Sequence, residues 1–505
     1  MNSSNFVRTN LLITFISLFS VGLNFLTQTV IAYYFGTDLQ RDAYFSALTI
    51  PAYLIILFSG SISTIFLPYY VNFRNNNSKE DVIRFGSSML GCSIAFLLVV
   101  CAVGFIFSKL IVDWIAPGFS LQQKELTQEI FKVLIFTVIF QALSSVVIVF
   151  HHVDSKFLRP ALSPLIVPIV SFMAVLFFHE YGIIALALGA LIGSFFSLLV
   201  LITDLTNKVK FKDLIDLMNP ATKKVIMLSM PLLISGSIYR LTTVIERIIG
   251  STLPNGSISA LGYSNQIYVL LVTIATGSIA TTFFPKMAHA WSEGISNEFN
   301  KIASRAIKLI LAITLPIAAI FFTLGQPIIM ILFQRGAFDS AATVSVSESL
   351  KLFLGAFVFS GLGSVIGKIF YVTNRTRAVS IVSIVEIFVY TICAYFLSHY
   401  YSYLGLAFSL TISTGFNIIV MTYLLIRWKY ILLSDLLGDT LKLVGAALIC
   451  AMLAKGIFLY AGLVNVFFGL ALSGLFGLSG YLLCILYVFK ISEAETINKL
   501  IKSYF

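Results

Sequence analysis

The chain alternates long apolar runs with short polar connections, and the runs lack the strict alternation of a membrane β-strand. A helix of about 20 apolar residues crosses a bilayer, and it satisfies its own backbone hydrogen bonds. The pattern therefore predicts an all-α polytopic membrane protein. We count fourteen transmembrane helices, at 10–35, 43–72, 86–115, 127–151, 160–178, 182–203, 225–250, 258–285, 306–333, 346–373, 378–398, 404–426, 439–462 and 465–489.

The chain contains an internal repeat with a period of 217 residues. Residues 60–68 and 277–285 are identical at six of nine positions, and Gly118 and Gly336, 218 apart, repeat nearly the same spacing. Each copy holds six predicted helices, an even number, so both copies enter the membrane in the same direction. This predicts two parallel six-helix lobes, 1–217 and 218–434, followed by two extra helices and a cytosolic tail in 435–505.

Charge is scarce and unevenly placed. Charged residues make up 11% of the chain and hydrophobic residues 58%, against about a quarter charged in soluble domains. The connections between the first twelve predicted spans hold eighteen basic residues on one side and three on the other, namely Arg41, Lys124 and Arg335. The positive-inside rule then predicts that both termini are cytosolic. This distribution accounts for the net charge of +11 without nucleic acid as a partner.

No arrangement for catalysis or metal binding is visible. The five cysteines lie inside predicted spans, and the five histidines lack convincing metal-ligand spacing. The stretch 361–368 lacks the glycine spacing of a phosphate-binding loop. We therefore expect a protein that is not an enzyme and that has no cofactor and no metal.

Charged residues inside a span are candidates for function because burying charge in lipid is costly. In the seventh span, Arg240 and Arg247 share a helix face and lie about 10 Å apart along the axis. Two guanidinium groups suit a diphosphate, which arginine binds through paired hydrogen bonds. The alternative for Arg247 is that it extends to the outer interface while Glu246 pairs with a neighbour. Glu246, Glu386 and Asp42 are candidates for ion coupling, and Glu386 could instead pair with Lys368.

Neutral polar residues mark two further spans. The first carries Asn24 and Gln28 at helical spacing after two serines, and the eighth carries Asn265 and Gln266. They could line a substrate cavity, or they could form hydrogen-bonded seams between helices.

The repeated segment also predicts a mechanical role. Pro68 and Pro285 each remove a helical hydrogen bond and favour a bend about one turn earlier. Gly60 and Gly277 lie about 12 Å before these prolines along the axis. The pair predicts symmetric kinks at a cytosolic gate, with close packing of small residues as the alternative.

Several stretches resemble the MurJ (MviN) family of lipid II flippases, which belongs to the multidrug/oligosaccharidyl-lipid/polysaccharide exporter superfamily. They are residues 32–36, 42–45 before Pro51, 115–119, 253–259 with Tyr263, 331–339, and 370–371 followed by 376–377. The resemblance covers both halves. It implies two six-helix lobes around a central cavity, with two extra helices beside a lipid-facing groove.

The resemblance also implies where the chain differs from its relatives. Lipid II flippases typically place arginines in the first, second and eighth spans, where this chain has Val21, Thr27, Ile56 and Gln266. Asp42 is the residue of that charged set which remains. A related lipid-linked glycan is therefore an open alternative to lipid II.

Together these features predict a flippase of the bacterial inner membrane that moves a polyprenyl-diphosphate-linked glycan by alternating access. Its expected partners are the lipid-linked glycan, membrane lipids, possibly a coupling ion and possibly glycan-assembly enzymes. Two alternatives remain, an ion-coupled exporter of amphipathic small molecules and a non-transporting scaffold of a glycan-assembly complex.

Overall fold

A computed structural model describes residues 3–205, 209–216, 219–239, 241–431 and 433–489. Its regular elements are eighteen α-helices and four short 3₁₀ or π turns, so the all-α prediction is confirmed for the described chain. The helices are α1 (Ser3–Phe35), α2 (Leu39–Ser61), α3 (Leu67–Asn76), α4 (Lys79–Ile106), α5 (Ser108–Ile115), α6 (Leu121–Leu134), α7 (Thr137–Val153), α8 (Leu158–Phe178), α9 (Ile184–Ile202), α10 (Pro220–Tyr239), α11 (Leu241–Gly250), α12 (Ser257–Ser292), α13 (Ser296–Phe333), α14 (Ser340–Val372), α15 (Thr376–Tyr401), α16 (Tyr403–Arg427), α17 (Leu433–Val464) and α18 (Val466–Leu483).

Thirteen helical segments in the described chain are long and apolar enough to cross a membrane. Each matches one predicted span, and the predicted seventh span, 225–250, corresponds to α10 and α11 on either side of residue 240, which lies outside the described residues. A polytopic membrane protein is thereby confirmed. The count of fourteen spans stays a prediction.

Several spans start or end away from their predicted limits. The second begins at Leu39 rather than residue 43, and Asp38 caps it by accepting a hydrogen bond from the Leu39 amide at 2.6 Å. Ser78 caps α4 in the same way, through the Asp81 amide at 3.2 Å. Serine and aspartate at these positions satisfy amides that the first helical turn leaves unpaired.

The chain divides into two compact units, residues 1–259 with 335–338, and residues 260–334 with 339–505. The first unit has a core rich in aromatic side chains, in which Phe66, Phe85 and Phe150 are fully buried. In the second unit, α17 and α18 pack with α13, and the Tyr481 hydroxyl donates to the Ala312 carbonyl at 3.0 Å. The division into lobes 1–217 and 218–434 follows from the repeat in the sequence and stays a prediction.

The connection after α9 packs against α4. A 3₁₀ turn, Phe211–Ile215, places the Leu214 carbonyl directly against Gly91, where a β-carbon would clash with it. Arg84 and Asp216 form an ion pair at 2.7 Å, and the Ser88 hydroxyl donates to the Asp216 carbonyl at 2.5 Å. The described part of this connection is therefore docked along α4.

Candidate functional site

Asp42 is a buried carboxylate in the first turn of α2, with 2% of its surface exposed. It accepts hydrogen bonds from the Gly256 amide at 2.7 Å, from the Ser259 amide at 2.6 Å and from the Ser259 hydroxyl at 2.6 Å. The two amides belong to the turn that begins α12. Asp42 thus caps that helix with a negative charge, which unpaired amides and the helix dipole both favour.

Asp42 and Ser259 are separated by 217 residues, which is the period of the internal repeat. They therefore occupy equivalent positions, each near the start of the second helix of its copy. A contact between equivalent positions of two copies lies at the axis that relates the copies. The carboxylate in one copy and the hydroxyl in the other make this contact polar and asymmetric.

Arg41 is the largest fully buried side chain of the protein. Its guanidinium donates to the Gln28 side-chain oxygen at 2.9 Å and lies 4.2 Å from the centroid of the Phe45 ring. The Arg247 guanidinium lies 5.6 Å from the centroid of the same ring. Phe45 thus contacts two cations through cation–π interactions, which gain strength away from water.

Arg247 is also buried, with 5% exposure, and does not extend into solvent as the sequence alternative suggested. It forms an ion pair with Glu246 at 3.2 Å and donates to the Ile258 carbonyl at 3.4 Å. We refer to Arg41, Asp42, Phe45, Glu246 and Arg247, with the turn 256–259, as the Asp42 cluster. Its two cations and two acids balance one another, as burial of charge requires.

Two close backbone contacts flank the Asp42 cluster within the first unit. Gly118 lies against the end of α11, where a β-carbon would come within 2.5 Å of the Ser251 carbonyl oxygen. Gly336, at φ +56°, lies against the end of α1, where a β-carbon would come within 2.4 Å of the Tyr33 carbonyl oxygen. The Ala337 amide donates to that same oxygen at 2.8 Å. The two repeat-related glycines thus make reciprocal contacts, each with the opposite copy of the repeat.

The polar residues predicted to line a cavity have mixed surroundings. Asn24 is exposed and donates to the Ser20 carbonyl at 3.0 Å, whereas Gln28 is half-buried and accepts from Arg41. Asn265 and Gln266 are half-buried near the start of α12. Arg240 lies outside the described residues. Whether any of them contacts substrate stays a prediction.

Glu386 is half-buried in α15 and accepts a hydrogen bond from the Asn417 amide group at 2.6 Å. Lys368, suggested from the sequence as its partner, lies with its ammonium group 5.5 Å from the Phe284 ring centroid. The neighbour of Glu386 is therefore a neutral amide on α16. Coupling to an ion through Glu386 stays a prediction.

The two copies of the repeated segment differ in local structure. In the first copy, residues Ile62–Phe66 form a π turn one turn before Pro68, whereas in the second copy Pro285 lies inside the continuous helix α12. A β-carbon added to Gly60 or Gly277 would meet no described atom within 4 Å. Close packing at these glycines therefore has no counterpart in this conformation, and the expected symmetry of the two bends is not present in it.

These observations can be compared with known proteins. A family model described as lipid II flippase MurJ matches residues 31–479. The chain belongs to the MurJ family. A probable lipid II flippase MurJ of Buchnera aphidicola subsp. Schizaphis graminum is 28% identical over 428 residues, which cover 82% of each chain.

Solved structures agree with the assignment to the MurJ family. A lipid II flippase MurJ in an inward closed conformation superposes with a TM-score of 0.81 at 25% identity, covering 94% of this chain and 98% of that one. A multidrug resistance MATE family transporter in an inward-facing conformation gives a TM-score of 0.69 at 14% identity, covering 81% and 94%. The second likeness shows the fold alone.

The positions at which MurJ relatives were expected to carry arginine have different surroundings here. Val21 and Ile56 are exposed, at 42% and 43%. Thr27 is buried and donates to the Leu23 and Pro168 carbonyls at 2.9 and 3.2 Å. Thr27 therefore belongs to a seam between α1 and α8, and an arginine at that position would need a different packing of these helices.

Sequence reasoning missed Arg41 as a buried residue. It was counted among the cations of the outer connections because the second span was predicted to begin at residue 43. Asp38 and the Asp42-Ala43-Tyr44-Phe45 stretch could have shifted that boundary, since an aspartate four residues before another acidic residue is typical of a capped first turn.

Proposed function

We propose that this chain translocates lipid II, or a closely related polyprenyl-diphosphate-linked glycan, across the bacterial inner membrane. The observation that supports this most strongly is the family match, which extends over residues 31–479 and thus over both repeats. The polar headgroup resists entry into hydrocarbon, and the prenyl tail does not. Translocation therefore requires a protected route for the headgroup alone.

The proposed mechanism is alternating access, in which contacts on one side of the membrane break as those on the other side form. The Asp42 cluster supplies contacts suited to such a change, because hydrogen bonds and ion pairs can exchange partners while a packed apolar core cannot do so gradually. Asp42 binds the first turn of α12 through three donors. Release of that turn would free the start of the eighth span.

Substrate binding is proposed to involve Arg240, together with the polar residues Asn24, Asn265 and Gln266. A diphosphate carries enough charge to require at least one cation inside the membrane, and Arg247 is already held by Glu246 at 3.2 Å. This assigns the phosphate contact to Arg240 in preference to Arg247.

The deciding experiment is complementation of a bacterium depleted of its own lipid II flippase. We expect the unaltered chain to restore growth and lipid II flipping. Arg240→Ala should abolish rescue, and Arg240→Lys should retain part of it because a cation remains without the paired geometry of a guanidinium. Expression and membrane insertion of each variant are compared by immunoblot.

Other results would assign the chain differently. Failure to rescue, with another lipid-linked glycan accumulating when the chain is deleted from its own host, would replace lipid II by that glycan. Failure with normal flipping of all lipid-linked glycans in the host would favour a scaffold. Full rescue by Arg240→Ala would remove that residue from the binding site.

Ion coupling is proposed to involve Glu386, because it is an acid inside a predicted span whose hydrogen-bond partner, Asn417, is neutral. Glu386→Gln preserves the shape of the side chain and removes its charge. We expect lipid II flipping in proteoliposomes to lose its dependence on an imposed ion gradient or membrane potential. Glu348→Gln is the matched control, since Glu348 is exposed on α14. An unchanged dependence in Glu386→Gln would exclude Glu386 from coupling.

A further inference from the structure

Lys455 is a cation on an otherwise apolar exposed face of α17. The same face carries Leu441, Leu448, Met452 and Leu459, which are 59–66% exposed. These residues are spaced by three, four or seven positions and so form one stripe along the helix. Lys455 is exposed within that stripe.

The opposite face of α17 packs into the second unit. Leu443, Ala446, Cys450 and Ala454 are completely buried there. The orientation of the helix is therefore fixed by its packing, and Lys455 cannot reach the protein interior by a small rotation. In the described chain, Lys455 has no carboxylate within ion-pair distance.

Other cations near α17 are differently placed. Lys308 forms an ion pair with Asp439 at 2.6 Å, and Lys442 approaches the same carboxylate at 3.5 Å. This ion-paired group marks one end of the apolar stripe. Lys455 follows Lys442 by 13 residues, or about 20 Å along the axis.

The depth of Lys455 follows from these positions. The hydrocarbon core of a bilayer is about 30 Å thick. With Lys442 at one boundary, the Lys455 backbone lies about 10 Å short of the other. A lysine extends its ammonium group toward the nearer interface, but an ammonium group at that depth still requires an anionic partner.

We propose that Lys455 binds the anionic phosphate of a lipid headgroup in the leaflet opposite to Lys442. The lipid acyl chains would lie along the apolar stripe while the phosphate is drawn toward the lysine. The apolar stripe fits acyl chains, and the single cation selects the phosphate. Both a phospholipid and a polyprenyl diphosphate have this chemistry. The proposal does not depend on which substrate the chain transports.

The test is native mass spectrometry of the purified full-length chain titrated separately with phosphatidylglycerol, phosphatidylcholine and undecaprenyl diphosphate. Lys455→Gln should weaken binding of the anionic lipids about fivefold, the effect of one lysine near an anionic surface. Lys455→Arg should keep the binding. Met452→Gln is the matched control, because it adds the same polar group one turn away and leaves the cation in place.

Each outcome separates the alternatives. Weaker binding of phosphatidylglycerol identifies a phospholipid as the source of the phosphate, and weaker binding of undecaprenyl diphosphate alone identifies the prenyl lipid. Equal binding by Lys455→Gln and the parent protein would overturn the proposal, as would an equal loss for phosphatidylcholine. Should Lys455→Gln fold poorly, Lys455→Met preserves the apolar stripe and gives the same comparison.

Discussion

At the scale of single residues, the best-defined polar feature is a charge that one repeat presents to the other. The Asp42 carboxylate receives three donors from Gly256 and Ser259. Hydrogen bonds to a charged group contribute about 1.5–3 kcal/mol, more than neutral ones. They are also the contacts most affected when an isosteric neutral group replaces the carboxylate.

Asp42→Asn should destabilise the protein more than Ser259→Ala. An asparagine offers one acceptor oxygen, and its NH₂ group would face one of the two amides that now donate to Asp42. We expect a cost of about 1.5–3 kcal/mol for Asp42→Asn and about 1 kcal/mol for Ser259→Ala, which removes one donor. Thermal unfolding of the purified variants measures the order. Equal stability of Asp42→Asn and the parent protein would show that the capping contact contributes little.

Gly118→Ala and Gly336→Ala should both destabilise the protein through steric clash. The added β-carbons would meet carbonyl oxygens at 2.5 and 2.4 Å, and Gly336 also has φ +56°. Overpacking or a left-handed residue other than glycine costs about 1–3 kcal/mol. Gly60→Ala and Gly277→Ala are matched controls, because their β-carbons meet open space and alanine favours a helix. Thermal midpoints should fall for the first pair and hold or rise for the second.

The sequence predicted part of this detail. The glycine pair at 118 and 336 was visible as a repeat, yet periodicity alone does not show which backbone each glycine approaches. Asp42 was identified as a candidate through the resemblance, whereas its partners Gly256 and Ser259 lie more than 200 residues away. Arg41 was missed because its burial depends on Phe45 and Gln28 together. Contacts of this kind follow from tertiary packing.

At the scale of elements, the π turn Ile62–Phe66 is the main departure from regular helix in the second span. Pro68 has no amide to donate to the carbonyl four residues earlier, and its ring would clash with that carbonyl in an α-helix. A wider turn relieves the clash. The hydroxyls of Ser63 and Thr64 donate to the Gly60 carbonyl at 3.1 and 2.8 Å, which satisfies an acceptor in the widened turn.

Pro68→Ala should therefore allow a regular α-helix through residues 62–68 and should raise thermal stability. An interior proline costs about 3 kcal/mol in a helix, and part of that cost is recovered when it is removed. If the π turn serves movement, the same variant should flip lipid more slowly in proteoliposomes. Pro285→Ala is the comparison, because the helix around Pro285 is already α-helical. Unchanged flipping in Pro68→Ala would separate the π turn from transport.

The existence of the elements followed from the apolar runs, but their interruptions did not. Hydropathy averages over about twenty residues and therefore cannot resolve the break at Phe107 between α4 and α5. The identical positions in 60–68 and 277–285 predicted equivalent bends, and the structure has a π turn in one copy only. Helix geometry near a proline depends on what packs beside it, which the local sequence does not specify.

At the scale of the whole molecule, the repeat explains why several distant contacts occur together. Gly118 meets Ser251, Gly336 meets Tyr33, and Asp42 meets Ser259. Each contact joins one copy of the repeat to the other, and all three lie within the first compact unit. We expect them to form and break as one set, since each holds the same neighbouring segments in place.

A cysteine at Ala116 should report on that set of contacts. Ala116 is fully buried beside Phe45, Phe119 and Ile258. In a chain with its native cysteines replaced, Ala116→Cys should react slowly with a membrane-impermeant maleimide. Adding Gly118→Ala or Gly336→Ala weakens the contacts that bury it, so labelling should increase. A loss of about 2 kcal/mol corresponds to roughly a 30-fold change in population.

The same labelling experiment also tests the predicted orientation. The positive-inside rule places residues 115–119 on the outer side, so an impermeant reagent added to intact spheroplasts should reach Ala116→Cys from outside. Ala116→Cys combined with Gly60→Ala is the control, since Gly60 is far from this set in sequence and its β-carbon meets open space. Increased labelling in the glycine variants only after the inner face is exposed would reverse the topology. No increase in either glycine variant would mean that these contacts persist through the cycle, and that the repeats move apart elsewhere.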